Sequence, residues 1–359
     1  MRVAFLAPAN SIHTARWVNG LVARDLDVHL ISAHERASGI ERRVHWHRLG
    51  RSAPWAYALC GSALAVQLRA ISPDLLHAHY ASGYGLLARL ARFKPTLLSL
   101  WGSDVYDFPR TSLLHRWLLR GNLASATALA STSECMARRA MHIFNHPRVF
   151  VTPFGVDHER FAPMPGPRHT GQVVVGTVKT LTTTYGVDVL VEAFASARNR
   201  LGPTYDLRLE ITGDGPEKEH LRRRVAELGM SDCTTFHGAI AHDQVPAMLR
   251  RLDIFVALSR EESFGVAALE AAACERAIVV SDAEGLSEVV RNEETGLIVP
   301  RNDPHAAAGA LCRLATDPTL RESLGRAARY HVLERYTWER SLDLMIDAYR
   351  RVVDTHRAQ

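Results

Sequence analysis

Short apolar runs recur from end to end of the chain, and between them lie stretches whose apolar positions return at helical spacing. In the first half, residues 3–7, 28–32, 44–49, 75–79, 96–100, 127–131 and 149–152 predict strands. Residues 12–24, 56–70, 83–92, 112–122 and 134–141 predict helices. A second series of strands follows at 173–178, 207–212, 233–236, 254–258, 277–281 and 296–299, again with helices between, and 320–358 reads as an arginine-rich helical tail. Strands alternating with helices of this length build βαβ units and hence parallel sheets. Between the two series, Pro153-Phe154-Gly155-Val156-Asp157 runs into Pro163, Pro165, Gly166 and Pro167, a density of proline and glycine that predicts an irregular inter-domain connection. The predicted fold class is α/β, with two doubly wound domains in series, 1–160 and 168–336. In such sheets ligands bind at the carboxyl ends of strands, and a cleft between two domains is the default site.

The length of 359 residues suits two domains, and 47% apolar with 23% charged residues is ordinary for a globular protein. A net charge of +5 favours anionic substrates or an anionic membrane surface, or reflects scattered surface arginines. No basic run is interleaved with aromatics, so nucleic acid is not an expected partner. The five cysteines, Cys60, Cys135, Cys233, Cys274 and Cys312, are odd in number, spread out and without a C-x-x-C, which predicts reduced core residues in a cytosolic protein. The apolar start, Met1 to Leu6, meets Pro8 and Asn10 too soon for a signal peptide and reads as a first strand. No segment approaches about 18 uninterrupted apolar residues, so no membrane span is expected. Arg48, Arg51, Trp55 and Tyr57 precede an apolar helix, either as a patch for an anionic bilayer or as a basic loop before a buried helix.

The most informative chemistry lies in Glu262-Ser263-Phe264-Gly265-Val266-Ala267-Ala268-Leu269-Glu270. An apolar strand precedes it and an alanine-rich helix follows. The first glutamate is therefore expected on a strand-to-helix turn and the second about two turns into the helix, ~12 Å away at about 1.5 Å rise per residue. That span matches the distance from the sugar to the ribose of a nucleotide-sugar. The free N–H groups of the helix start can hold the diphosphate between them, and Gly265 permits close backbone approach.

Other motifs each carry two readings. Gly213-Asp214-Gly215-Pro216 after a strand either approaches a nucleotide or is a plain βα turn. Around Thr177, Lys179 and Thr180, a strand end carries one cation placed to pair with diphosphate oxygens and stabilise a leaving nucleotide, or else a polar loop. Asn10-Ser11-Ile12-His13 follows the first strand, with His13 as base or acceptor contact, or as part of a capping turn. In Trp101-Gly102-Ser103-Asp104 the aspartate binds a sugar hydroxyl or caps a helix. His77-Ala78-His79 and His45-Trp46-His47 each place two imidazoles on one strand face, but with no third ligand at a suitable spacing no metal is expected. Asp25-Leu26-Asp27 lies at the amino end of a strand and predicts a structural turn rather than a divalent-cation motif. The absence of G-x-S-x-G, a P-loop and G-x-G-x-x-G after a strand speaks against an esterase, an NTPase and a dehydrogenase.

Taken in order, Ser11-Ile12-His13-Thr14-Ala15-Arg16-Trp17, Pro73-Asp74-Leu75-Leu76-His77-Ala78-His79-Tyr80, Trp101-Gly102-Ser103-Asp104-Val105, Phe154-Gly155-Val156-Asp157, Gly213-Asp214-Gly215-Pro216, Ser259-Arg260-Glu261-Glu262-Ser263-Phe264-Gly265 and Gly296-Leu297-Ile298-Val299-Pro300 span nearly the whole chain. Together they resemble the retaining, metal-independent GT-B glycosyltransferases that carry a Glu-x7-Glu motif. Gly176-Thr177-Val178-Lys179 with Tyr185-Gly186-Val187-Asp188 looks like the subgroup that builds bacterial surface polysaccharides and glycolipids. The resemblance implies two Rossmann-like domains facing a central cleft, with the C-terminal helix, 337–359, crossing back to the first.

The resemblance also implies a retaining transfer from a nucleoside diphosphate sugar to a hydroxyl of a sugar or lipid-linked acceptor, with no metal or other cofactor. A cytoplasmic protein on the inner face of the cell membrane would fit that role. Glu262 and Lys179 would be catalytic. Thr177, Thr180, Gly213, Asp214, Gly215, Ser263, Phe264, Gly265, Val266 and Glu270 would hold the donor, and Asn10, Ser11, His13, Tyr80, Trp101 and Asp104 the acceptor. The chain departs from the pattern where relatives carry arginine at Thr177, a lysine near Thr184 or Tyr185, and histidine at Trp101. These departures leave Lys179 as the one nearby cation. Thr177 keeps open a non-catalytic nucleotide-sugar-binding partner, and the shared two-domain architecture keeps open a sugar-nucleotide epimerase or hydrolase.

Overall fold

Strands that are apolar without alternation need cover on both faces, as parallel sheets under helices provide. The computed structural model describes residues 1–164 and 171–358 and shows two such sheets, all of whose strand pairs are parallel. In the first, β1 (Arg2–Leu6), β2 (Asp27–Ser32), β3 (His45–Arg48), β4 (Leu75–His79), β5 (Thr96–Leu100), β6 (Ala128–Ser131) and β7 (Val149–Val151) lie in the order β3-β2-β1-β4-β5-β6-β7. In the second, β8 (Gln172–Val178), β9 (Asp206–Thr212), β10 (Thr234–Gly238), β11 (Ile254–Ala257), β12 (Ala277–Ser281) and β13 (Leu297–Val299) lie in the order β10-β9-β8-β11-β12-β13. Central strands β4, β5 and β12 are buried at every position. In both sheets the chain winds outward from the first strand, then returns to its other side. The resulting switch points, between β1 and β4 and between β8 and β11, open a crevice beyond the strands' carboxyl ends.

Two compact units follow from this winding, Met1–Pro153 with Glu339–Gln359, and Phe154–Trp338. Residues 154–160, read from sequence as the end of the first domain, belong to the second unit. The reason is a backbone tie: Val156 N–H donates to Tyr336 O at 2.7 Å and Trp338 N–H donates to Val156 O at 3.0 Å. Those bonds also interrupt the tail, which is not one helix but two, Pro318–Arg335 and Trp338–Arg357. The second returns to the first unit, where Tyr349 is fully buried and its hydroxyl lies 2.6 Å from His77 Nδ1. Arg357 adds an ion pair to Asp74 at 2.9 Å. The helix expected over 56–70 is likewise two, Trp55–Leu59 and Gly61–Ile71, parted at Cys60. Pro165, Gly166, Pro167 and the expected domain start at 168 lie outside the described residues. No described helix is long and apolar enough to cross a membrane, and four of the five free cysteines are buried.

Candidate functional site

In the second unit the sheet order sets β9, β8 and β11 side by side, so the loops leaving their carboxyl ends meet. Lys179 follows β8, and its N–H donates to Thr212 O at the end of β9 at 3.0 Å. Gly213 follows at once with φ 141°, and a Cβ there would stand 1.8 Å from Lys179 O. Only glycine lets these two loops touch.

Across from them, the turn after β11 carries Glu262. Lys179 Nζ lies 2.6 Å from Glu262 Oε2, and the two side chains are only 12% and 10% exposed. Ser259 Oγ donates to the same oxygen at 3.1 Å, and the ammonium also sits 4.3 Å above the Tyr185 ring. The lysine expected to face diphosphate oxygens is thus held by the glutamate expected to face the sugar. One nearly buried ion pair joins the two expected roles.

The helix beside this pair is Val266–Ala273, with Gly265 at its N-cap in the left-handed region (φ 97°). Its N-cap makes no side-chain bond and its first turn holds no acidic residue, so the charge of its positive end is not offset there. Glu270 is the fifth helical residue, a little over one turn in, rather than two turns from Glu262. The residues from Glu262 to Phe264 form a turn instead, in which Glu262 O accepts from Gly285 N–H at 3.1 Å. The helical rise therefore does not set the spacing of the two carboxylates. Glu270 Oε1 lies 3.4 Å from His242 Nε2, a partner on the loop after β10 that sequence reasoning missed. Nothing local marks His242, because the fold alone brings it to Glu270.

The remaining donor-side residues divide. Thr180 is exposed, Ser263 and Val266 are half-buried, and Phe264 is buried with its ring edge-on to Tyr336 at 5.9 Å. Asp214 accepts from Gly215 N–H and pairs with Lys218, each at 2.8 Å. Thr177 is buried within β8 beside Ile211, so it shapes the strand and presents no hydroxyl to solvent.

In the first unit, the carboxyl ends of β1, β4 and β5 build an aromatic wall. Trp101 stacks on Tyr80 at 5.3 Å and lies 4.5 Å from the His79 ring and 5.5 Å from the His13 ring. Tyr80 adopts φ 67° to reach this position, and burial, then the nearby Asp104, pushes its hydroxyl pKa up. Asn10 is exposed. Ser11 occupies the N-cap of the helix Ile12–Ala23 but makes no side-chain cap bond, which corrects the capping turn expected there.

Asp104 is 2% exposed. Its Oδ2 accepts from Ala81 N–H at 2.7 Å, and its Oδ1 from Trp101 and Gly102 N–H at 3.0 Å each. Burial raises its pKa against those three donors. This carboxylate braces the β4 and β5 loops and is not offered to a hydroxyl in solution. The His77 and His79 pair is not a metal site either. His77 uses both nitrogens, 2.6 Å from Tyr349 Oη and 2.6 Å from Ser99 Oγ, and burial drives its pKa down to about 3. His79 is buried, with neither ring nitrogen hydrogen-bonded among the described residues. It joins the wall as a neutral ring that sequence reasoning had weighed only as a ligand.

Two family profiles match this chain: "Glycosyl transferases group 1" over residues 163–331 and "Glycosyl transferase 4-like" over residues 2–133. Among curated relatives, the D-inositol 3-phosphate glycosyltransferase of Salinispora tropica is 33% identical over 231 residues, covering 59% of this chain and 48% of that protein. The protein of the same name from Arthrobacter sp. strain FB24 is 31% identical over 311 residues, covering 79% of this chain and 72% of its own. The chain thus spans about half the length of the first relative and most of the second. Sucrose-phosphate synthase of Thermosynechococcus elongatus superposes with a TM-score of 0.82 at 20% identity, covering 99% of this chain and all of that one. Anabaena HepE in complex with UDP gives 0.82 at 15% identity over 98% of this chain and all of its own. These structural likenesses carry the fold alone.

Proposed function

The chain belongs to the glycosyl transferases group 1 family, and from that membership we propose that it moves a sugar from a nucleoside diphosphate sugar to a hydroxyl acceptor with retention of configuration. The observation that carries this reading is the Lys179–Glu262 pair beside the uncapped helix start at Gly265. An arriving diphosphate offers Lys179 a more highly charged partner. That frees Glu262 to accept hydrogen bonds from sugar hydroxyls, while the amides after Ser263 and Phe264 meet the phosphate oxygens. Glu270, positioned by His242, takes the ribose hydroxyls.

The anomeric carbon–phosphate oxygen bond breaks, and the charge that develops on the leaving group is met by Lys179 and the helix start. The acceptor oxygen bonds the same face of the sugar, and its proton passes to a phosphate oxygen. No metal is assigned to any of these steps, because the lysine and the helix end supply the positive charge. The aromatic wall of Trp101, Tyr80, His79 and His13, with Asn10 and Ser11, recognises the acceptor. That acceptor is a sugar or polyol, free or lipid-linked, as in surface polysaccharide and glycolipid assembly.

A thermal-shift panel tests donor recognition. HepE has been solved with UDP and the curated relatives act on an inositol phosphate, so UDP-sugars come first as donors and D-inositol 3-phosphate is included among the acceptors. A ligand present at about 100 times its Kd stabilises by about 2.7 kcal/mol, so one nucleotide-sugar should raise Tm by several degrees. No shift with any nucleotide or nucleotide-sugar would refute the reading.

The proposed membrane contact shifts from the residues named by sequence. Arg48 is paired with Glu35 at 2.6 Å and Tyr57 packs on Tyr84, but Trp55 is 70% exposed. The helices Trp55–Leu59 and Leu113–Ser125 both pack on Gly83–Ala91 and also expose Leu59, Leu113, Leu114 and Trp117. With Arg116 and Arg120 on the second helix, this is an apolar and basic surface suited to the inner face of an anionic membrane. The protein should float with vesicles containing phosphatidylglycerol, and Leu113→Glu with Trp117→Glu should abolish flotation. Equal flotation of the double variant would remove the surface from consideration.

A further inference from the structure

The amino ends of β2 and β3 hold a cluster that neither the catalytic reading nor the motif spacing uses. Asp27 and His29 stand two apart on β2 and share a face, and the parallel register sets His29 directly opposite His45 on β3. Asp27 Oδ1 lies 3.2 Å from His29 Nε2 and 3.6 Å from His45 Nε2. One ligand atom from each of the three residues falls within 4.8 Å of the other two. Donors at about 2.0–2.1 Å from a tetrahedral Zn2+ stand about 3.3 Å from one another, so the two measured spacings are those of a coordination shell.

The surroundings complete the fit. Arg2 Nε donates to Asp27 Oδ2 at 2.6 Å, which leaves Oδ1 as the single open oxygen. His29 Nδ1 lies 3.0 Å from His47 Nε2, so a proton on Nδ1 donates to His47 and turns the lone pair of Nε2 toward Asp27 and His45. A partner on the second ring nitrogen is the usual means of orienting a metal-bound histidine. His45 is 60% exposed, so water can fill a fourth position.

We propose that Asp27, His29 and His45 bind one Zn2+, with His47 positioning His29 and water as fourth ligand. Two imidazoles and one carboxylate favour zinc or a neighbouring late transition metal over the oxygen-seeking Mg2+ and Ca2+. The ion sits at the amino ends of its strands, whereas the aromatic wall rises from the carboxyl ends of β1, β4 and β5. It therefore clips edge strand β3 to β2 and takes no part in sugar transfer.

The test titrates the chelator-stripped full chain with Zn2+ calorimetrically, and with Co2+ by visible absorption. Wild type and the control His305→Ala, an exposed histidine elsewhere, should each take up one Zn2+ and show the intense visible bands of low-coordinate Co2+. His45→Ala, at an exposed position that the fold tolerates, should bind Zn2+ at least about tenfold more weakly and lose those bands. No uptake by wild type, or uptake by His45→Ala within about tenfold of wild type, overturns the assignment.

Discussion

Glu262→Ala is expected to remove sugar transfer, lowering kcat by about 10²–10³-fold or more, the scale seen when one preorganised electrostatic contact is lost from an active site. Among the described residues the side chain is the carboxylate paired with Lys179, and in the proposed mechanism it also positions the sugar. Truncation leaves the ammonium without its carboxylate partner, still over the Tyr185 ring. The protein should keep its far-UV circular dichroism while turning over no donor. Glu262→Gln, which preserves size and a hydrogen bond to Lys179, should remain more than about tenfold impaired, because a neutral amide accepts sugar hydroxyls less strongly. Lys179→Ala should lower kcat more than it raises KM, since charge on the phosphate grows toward the transition state. Full activity in Glu262→Ala would refute the assignment.

The second large effect is on stability. Among the described residues Tyr349 is the largest fully buried side chain, and it fixes the returning helix Trp338–Arg357 to the first unit through packing and the His77 hydrogen bond. Removing an aromatic ring from a core costs about 3–5 kcal/mol. Tyr349→Ala should therefore lower the first unit's melting transition by roughly 6–20 °C, at about 2–4 °C per kcal/mol. Tyr349→Phe keeps the ring but strands His77 Nδ1 in a site dry enough to hold its pKa near 3, so a cost of about 1–3 kcal/mol is expected. Calorimetry of both variants checks the ordering. An alanine variant as stable as wild type would mean the helix is not anchored there.

The two sheets were legible because buried parallel strands leave nearly uninterrupted apolar runs such as β11 and β12, and helices between them dictate the winding. Lys179 and Glu262 were each legible from strand-end chemistry, but their pairing was not. They meet only because β11 returns to lie against β8 after β9 and β10 have gone to its other side. Glu270 was placed too deep in its helix because a glutamate on a turn and one in a helix share the same spacing in sequence. Asp104 illustrates a different limit, since an aspartate after a strand end serves equally as a ligand contact or as a brace for backbone amides. Burial decides between them. His242, and the cross-strand set of Asp27, His29 and His45, depend on register and loop placement, which no local pattern encodes.

The most direct measurement is a crystal structure of the protein with a nucleoside diphosphate sugar that the thermal panel selects. The account predicts the diphosphate against the Gly265 helix start, Lys179 Nζ moved from Glu262 onto a phosphate oxygen, Glu262 on sugar hydroxyls and Glu270 on the ribose. A nucleotide bound elsewhere, or a diphosphate at that helix with Lys179 still locked to Glu262, would contradict it.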